Sequence, residues 1–292
     1  MTFTLDAVGK ETEPFTFSYS WKDTALYALG VGAKADELDY LYEGRGPKVL
    51  PSFAVIPAFE PVMRAIERIN GPMDKVVHGT QRVTLHKPFA PSATLHTTAT
   101  VEGLYDMRRM TQTIVRTATR DASTGELVCE TFWGIIFLGV SGTNTGDRPT
   151  ESKPSPPSRA PDFSVEERTL PEQALLYRLS GDVNPLHADP AFPLVARFEG
   201  RPILHGLATF GYMTRAAVLR GLNGDSSRVK SIQGRFSKPV WPGETLVTEG
   251  WVEGSRIFAR TSVKGRVEAT AGDAGASGEG GTVVLSHCAV DF

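Results

Sequence analysis

The chain repeats itself. Residues 87–103 and 238–254 share Lys, Pro, Pro, Thr, Leu, Thr, Val, Glu and Gly at a constant offset of 151, nine identities in seventeen aligned positions. Tyr27 and Leu29 recur as Tyr177 and Leu179 at an offset of 150, and Leu50 and Ala54 recur as Leu204 and Ala208 at 154. Drift of this kind is what loop insertions produce. So long a period marks a duplicated domain and not a solenoid, and 292 residues suit two average domains better than one core. The expected division is an N-terminal copy over 1–140, a connecting segment over 141–162 and a C-terminal copy over 163–292. The connecting segment is rich in Ser, Thr, Gly and Pro, the composition of an extended, solvated stretch. It is either a plain spacer or a strap crossing one domain so that the copies pack in antiparallel fashion.

Both copies carry the same coarse order. Ser20 with Asp23 forms a capping-box signature before a short helix ending near Gly30. Ser52 precedes a longer helical pattern in which Ala54, Val55, Ala58, Val62, Ala65, Ile66 and Ile69 are apolar, with Pro57 and Pro61 bending its first turns. Strands follow near 76–86, 93–104, 109–119 and 126–139. The second copy repeats this with a short helix at 171–180, a long one at about 206–221, and strands near 229–238, 244–253, 256–264 and 281–291. A long helix followed by meandering antiparallel strands is an α+β pattern, a sheet wrapped around a helix. The Gly-rich stretch from Gly272 to Gly281 reads as a mobile hairpin tip.

Composition narrows the partners. Lys and Arg number 31 against 33 Asp and Glu, a net charge of −2, so neither nucleic acid nor an anionic membrane is expected to bind by bulk attraction. An anionic ligand needs a local patch. Cys129 and Cys288 lie in apolar strand-like runs, as buried free thiols of a reducing, cytosol-like compartment do. The N-terminus lacks a signal-peptide pattern, no apolar run approaches the roughly 18 residues of a membrane span, and the final residues are not an SKL-type signal. The expected location is cytoplasmic, with a peroxisome as the alternative.

The most informative stretch for chemistry is 177–187, Tyr-Arg-Leu-Ser-Gly-Asp182-Val-Asn184-Pro185-Leu-His187. A carboxylate, a carboxamide and an imidazole fall within six residues, just after a helix-like segment ends at Gly181. Pro185 fixes its own φ and pushes Asn184 toward an extended conformation, so the polar groups sit on a stiff loop. Such a loop can hold one water between an acid and a base. The competing reading is an Asx turn, with Asp182 and Asn184 serving the backbone and His187 facing solvent. The matching positions of the first copy, Gly30 to Ala33, carry no ionisable group. The polarity is therefore peculiar to the second copy and points to function there.

Pro202, Ile203, Leu204, His205 and Gly206 open the long helix of the second copy. A helix N-terminus offers N–H groups without intrahelical partners and the positive end of the macrodipole, and Gly206 leaves that end open to a carbonyl oxygen. His205 reads as a residue that positions the loop, in preference to a direct catalytic role. The first copy has Pro51 and Ser52 at the matching positions. His78 and Gly79 form another His-Gly pair, either incidental to strand entry or part of a site. Phe236 reads as a packing aromatic, with channel lining as the alternative. Arg108, Arg109, Arg235 and Lys238 could meet phosphates, but scattered cations usually form a solvated face. There is no P-loop, no GxGxxG, no His/Cys metal spacing, and no strand-turn-helix GxSxG around Ser180. Acid–base chemistry on a water, without metal or redox cofactor, is the simplest account.

YRLSGDVNPLH at 177–187, PILHGL at 202–207 and RFSKPVWPG at 235–243 resemble the MaoC-like hydratase family, specifically its (R)-specific 2-enoyl-CoA hydratase 2 branch. VHGTQ at 77–81 carries the likeness into the first copy, so it covers nearly the whole chain. The resemblance implies a double hot-dog fold whose N-terminal copy has lost its site to make room for an acyl chain. It implies hydration of an acyl-CoA thioester, with Asp182 and His187 as the catalytic pair, Asn184 orienting the water, Gly206 as the oxyanion donor, and His78, Gly79 and Phe236 touching the substrate together with Asn184. One departure concerns a first-copy loop in which the family often carries Asp-Lys-Gly against CoA; here the nearest equivalent is Asp106, Met107, Arg108, so the lysine contact does not carry over. Rival activities on such a fold are thioester hydrolysis, non-catalytic acyl-CoA binding, and dehydration in specialised lipid or polyketide synthesis. A homodimer is compatible with the duplication but not required by it.

Overall fold

The computed structural model describes residues 3–150, 152–266 and 281–292. The first half runs β1 (Phe15–Tyr19), α1 (Trp21–Gly30), α2 (Leu38–Leu41), α3 (Val55–Arg68), β2 (Val76–Leu85), β3 (Ala93–Asp106), β4 (Met110–Asp121) and β5 (Leu127–Leu138). The second runs β6 (Phe163–Arg168), α4 (Gln173–Tyr177), α5 (Gly206–Ala216), β7 (Ser231–Phe236), β8 (Thr245–Glu253), β9 (Arg256–Lys264) and β10 (Gly281–Asp291). Apart from Gly281, the expected Gly-rich hairpin tip lies outside the described residues.

Local signals explain most of these elements. The Ser20 N–H donates to the Asp23 carboxylate at 2.8 Å, closing the capping box that starts α1. In α3, Val55, Ala58, Val62, Ala65 and Ile66 repeat at helical spacing and are buried. Pro57 falls in its first turn, where a missing N–H costs little, while Pro61 sits within the helix without ending it. Every residue of α5 from Leu207 to Ala216 is buried, because this helix has protein on all sides, and it continues through a π turn over Ala217–Gly221.

All ten strands join one antiparallel sheet, in the order β1-β3-β4-β5-β2-β7-β10-β9-β8-β6. This order is the same five-strand pattern twice, reflected about the β2–β7 pair, which runs from Thr80↔Arg235 to Thr84↔Ser231. The two copies therefore share one sheet. The outermost strands, β1 and β6, were not expected from the sequence: they are five and six residues long, and their alternating side chains are largely half-buried or exposed. The strands β3, β4 and β5 contribute Leu95, Val101, Leu104, Val115, Trp133, Ile135 and Phe137 to a core that also holds α3 and α5. Cys129 and Cys288 are buried free thiols in that core, and burial pushes both up, the first to about 12.

The connecting segment takes the strapping course. The Thr145 N–H donates to the Leu104 carbonyl of β3 at 2.9 Å. The Gln233 amide of β7 donates to the Ser152 carbonyl at 3.3 Å, and His287, at a bulge in β10, donates to the Pro154 carbonyl at 3.2 Å. The Trp251 indole of β8 then donates to the Arg159 carbonyl at 2.8 Å. A buried ion cluster ties the halves on the helical side, where Arg215 of α5 bonds Glu167 of β6 at 2.7 Å and, through Nε, Glu37 of the first half at 2.8 Å. No described helix is long and apolar enough to cross a membrane.

Candidate active site

The chain from Gly181 to Leu204 is irregular but not loose. Leu186, Leu194, Val195, Ile203 and Trp241 form a small apolar cluster of their own, separate from the main core, and pin the loop beneath α5. Asn184 caps a 3-10 turn over Pro185–His187, its side-chain oxygen accepting from the Leu186 N–H at 3.0 Å. The Asn184 N–H in turn donates to the Asp182 carboxylate at 3.2 Å. The Asx-turn reading of these residues is thus geometrically present, yet it uses only part of their capacity. The Asn184 amide keeps donors to spare, and the Asp182 carboxyl opens on a cavity.

His187 does not face solvent; it is 8 % exposed. Its Nδ1 lies 2.8 Å from the Ile203 carbonyl, which can only accept, so Nδ1 carries the proton and Nε2 is left with a lone pair. His205 is fully buried, and by the same reasoning its Nε2–H donates to the Asp182 backbone carbonyl at 3.0 Å. The two imidazoles stack with centroids 3.7 Å apart. His205 thus holds the backbone of one site residue and the ring face of another without lining the cavity, as the positional reading of it expects.

Side-chain donor atoms of Asp182, His187 and His205 all fall within 4.8 Å of one another. Stacked rings send their in-plane lone pairs side by side, not to a common point, and one nitrogen of each ring is already committed to a carbonyl. The electrostatics instead disfavour charge on both Asp182 and His187. Burial raises the Asp182 carboxyl above the ordinary carboxylate range, against the opposing influence of His187, the Asn184 N–H and Arg178. Burial lowers His187, with Asp182 and the Ile203 carbonyl acting the other way. Burial pushes both groups toward their neutral forms, and the unprotonated ring nitrogen of His187 is available to accept.

Gly206 is the first residue of α5, so its N–H has no partner within the helix. A side chain here would be crowded: a Cβ on Gly206 would lie 3.1 Å from the Phe236 ring, which would have to give by a few tenths of an ångström. His78 of β2 sits against the other side of this aromatic, 4.7 Å from it, and stacks on Trp133 at 5.0 Å. Its Nε2–H donates to the Thr80 carbonyl at 3.0 Å, and burial lowers it to about 3, so it is a neutral wall. Trp133 carried no signal of its own in the sequence, since an aromatic in a core strand is the ordinary case.

Asp182, Asn184, His187, Gly206, His78 and Phe236 thus line one cavity of about 290 Å³ between the sheet and the helices. Its far part is apolar, built from Phe59, Met63, Met73, Ile135 and Leu138 of the first half. Gly79 lies elsewhere, on a second cavity of about 630 Å³ on the outer face of the sheet, and Phe236 lines both. Arg235 borders the outer cavity and Lys238 the inner one, and both are exposed, as cations of a solvated face are. Arg108 and Arg109 line neither, and Arg108 occupies a left-handed turn position with φ of 69°.

A duplicated sheet with two central helices, whose second half sets Asp182 and His187 on the cavity at the start of α5, defines a double hot-dog protein. Comparison with known proteins gives the same class. Residues 17–139 match the MFE-2 hydratase 2 N-terminal domain and residues 152–273 the MaoC like domain. The chain is similar to peroxisomal enoyl-CoA hydratase 2 of Arabidopsis thaliana, 37% identical over 86% of this chain and 87% of that one. It is 37% identical to mouse peroxisomal multifunctional enzyme type 2, covering 99% of this chain but 38% of the longer enzyme. The crystal structure of a MaoC-like dehydratase from Phytophthora capsici superposes with a TM-score of 0.82 at 30% identity, over 99% of this chain and 98% of that one. The chain belongs to the MaoC-like hydratase 2 family.

Proposed function

We propose that this protein reversibly hydrates trans-2-enoyl-CoA thioesters to (3R)-3-hydroxyacyl-CoA in fatty-acid metabolism, using Asp182 and His187 as the acid–base pair. The observation that carries the reading is the placement of Asp182 and His187, the latter's Nδ1 held by the Ile203 carbonyl, on the cavity that also reaches Gly206. The His187 Nε2 lone pair takes a proton from a water as its oxygen attacks C3, and the Asp182 carboxylic acid gives its proton to C2 on the same face. The spare Asn184 N–H donors orient the water. The Gly206 N–H receives the negative charge that develops on the thioester oxygen, a contribution of about 3 kcal/mol by the measure of other oxyanion donors. Proton return from His187 to Asp182 resets the site, and the cycle consumes no metal or redox cofactor.

The acyl chain runs into the apolar part of the cavity contributed by the first half, against Met63 and Met73. One chain already supplies both halves of the sheet, so a homodimer would join complete units and is not needed for the chemistry. Buried free thiols suit the cytosol and equally the peroxisome, where the plant relative is placed by its name.

The test is a series of trans-2-enoyl-CoA substrates of increasing length, with chiral analysis of the product and a thiol reagent in parallel. The expected outcome is (3R)-3-hydroxyacyl-CoA with no release of free CoA. A 3S product would refute the geometry, and thiol release without a hydroxy product would make the protein a thioesterase.

A further inference from the structure

The inner cavity accounts for an acyl group and its thioester but holds no cluster of cations suited to phosphates. The outer one does. Among the described residues, five cationic side chains, Arg82, Arg116, Arg148, Lys153 and Arg235, and one carboxylate, Glu102, line it. Glu102 pairs with Arg116 at 2.8 Å, and the described lining stays rich in cations although the chain's net charge is −2. Two of them, Arg148 and Lys153, belong to the connecting segment.

The two cavities meet where the sheet opens. The β2–β7 ladder ends at Thr80↔Arg235, and the next residues along each strand, Gly79 and Phe236, stand at the gap. A Cβ on Gly79 would come within 2.7 Å of Ile136 and 3.2 Å of the Gly134 carbonyl, so this passage is kept narrow and side-chain free. Phe236 lines both cavities, so the outer one reaches the edge of the inner one there.

We propose that the connecting segment is part of the substrate site, with Arg148 and Lys153 joining Arg82 and Arg235 to hold the phosphates of the CoA nucleotide on the outer face of the sheet. This rests on the hydratase reading. The segment is anchored for the purpose: Thr145 bonds Leu104 on one side of the cavity, and Ser152 and Pro154 bond Gln233 and His287 on the other. Between these points it carries its two cations across the pocket. Arg148 lies near enough to Tyr105 to act on the phenol electrostatically. Met107 lines the same pocket, at the position where the family often has a lysine, while Arg108 and Arg109 of this loop do not line it, so the strap and β7 supply the cations there.

The experiment compares the full-length protein with its Arg148→Glu, Lys153→Glu double variant on two substrates, trans-2-decenoyl-CoA and the decenoyl-pantetheine thioester that lacks the nucleotide. The expected result is a KM for the CoA substrate at least about tenfold higher with kcat unchanged, and no change on the pantetheine substrate. Equal losses on both substrates, or no loss on either, would overturn the assignment. Calorimetric titration of CoA itself reads binding without turnover. If wild type hydrates nothing yet the variant still loses CoA affinity, the hydratase reading fails and the strap assignment stands. If hydration is intact and CoA affinity is unaltered, the reverse holds.

Discussion

Asp182→Asn is the most discriminating single perturbation. Asparagine keeps the shape of the side chain and can still accept from the Asn184 N–H, but it cannot donate a carboxyl proton to C2. Loss of a positioned general acid lowers kcat by about 10²–10⁴, or roughly 2.7–5.5 kcal/mol in the barrier. Stability is expected to move the other way. Burial raises the Asp182 pKa above its ordinary 3.8, so the native state binds this proton more tightly than the unfolded chain does. That contribution is fully present below the unfolded pKa of 3.8 and is lost as the pH rises through the folded value. Asparagine has no proton to lose. The melting temperature of the variant should therefore gain on that of wild type across this interval and hold a constant advantage above it. The assays are hydration of decenoyl-CoA and thermal unfolding of both proteins from pH 4 upward. A folded variant with near wild-type turnover would refute the acid role, and a Tm difference that does not change with pH would refute the account of the buried carboxyl.

Replacing His187 with Gln removes the basic ring nitrogen while keeping a hydrogen-bonding side chain, and kcat should fall by about 10²–10⁴. Because burial lowers the His187 pKa below 6.5, wild type should lose stability relative to this variant as the pH drops below about 6.5, which acid unfolding curves would reveal or exclude. The kcat/KM profile of wild type should be bell-shaped, its acid limb from protonation of His187 and its basic limb from ionisation of Asp182; a monotonic profile contradicts the pair. Gly206→Ala keeps the N–H but drives a methyl group to 3.1 Å from Phe236. Its kcat/KM should drop by up to about 100-fold at nearly unchanged Tm, and equal activity would mean the helix terminus is not at the reacting oxygen. Arg215→Met leaves Glu37 and Glu167 buried without their cation, at a cost of about 3–5 kcal/mol and a Tm fall of about 10 °C. An unchanged Tm would show that the cluster does not hold the halves together.

The duplication, the order of helices and strands, and the contrast between a polar loop at 182–187 and a blank one at 30–33 are all written in the chain itself. Local patterning decides them: the capping box at Ser20, the helical spacing of Val55, Ala58 and Val62, the stiffening of Asn184 by Pro185. The short edge strands β1 and β6 escaped because their alternation is brief and one-sided, and their pairing with β3 and β8 is a long-range choice. No local signal could say that β2 and β7 would join two copies into one sheet, or that strand parity would turn Arg235 outward beneath Arg148 and Lys153. The chemistry of the site is likewise a tertiary property. Asp182 and His187 were visible as candidates, but which ring nitrogen is left to accept depends on the Ile203 carbonyl that claims Nδ1, and the disfavouring of both charges depends on burial. Residue types and spacings specify which groups are available; only the folded chain sets their desolvation and their hydrogen-bond partners, because both depend on neighbours distant in sequence.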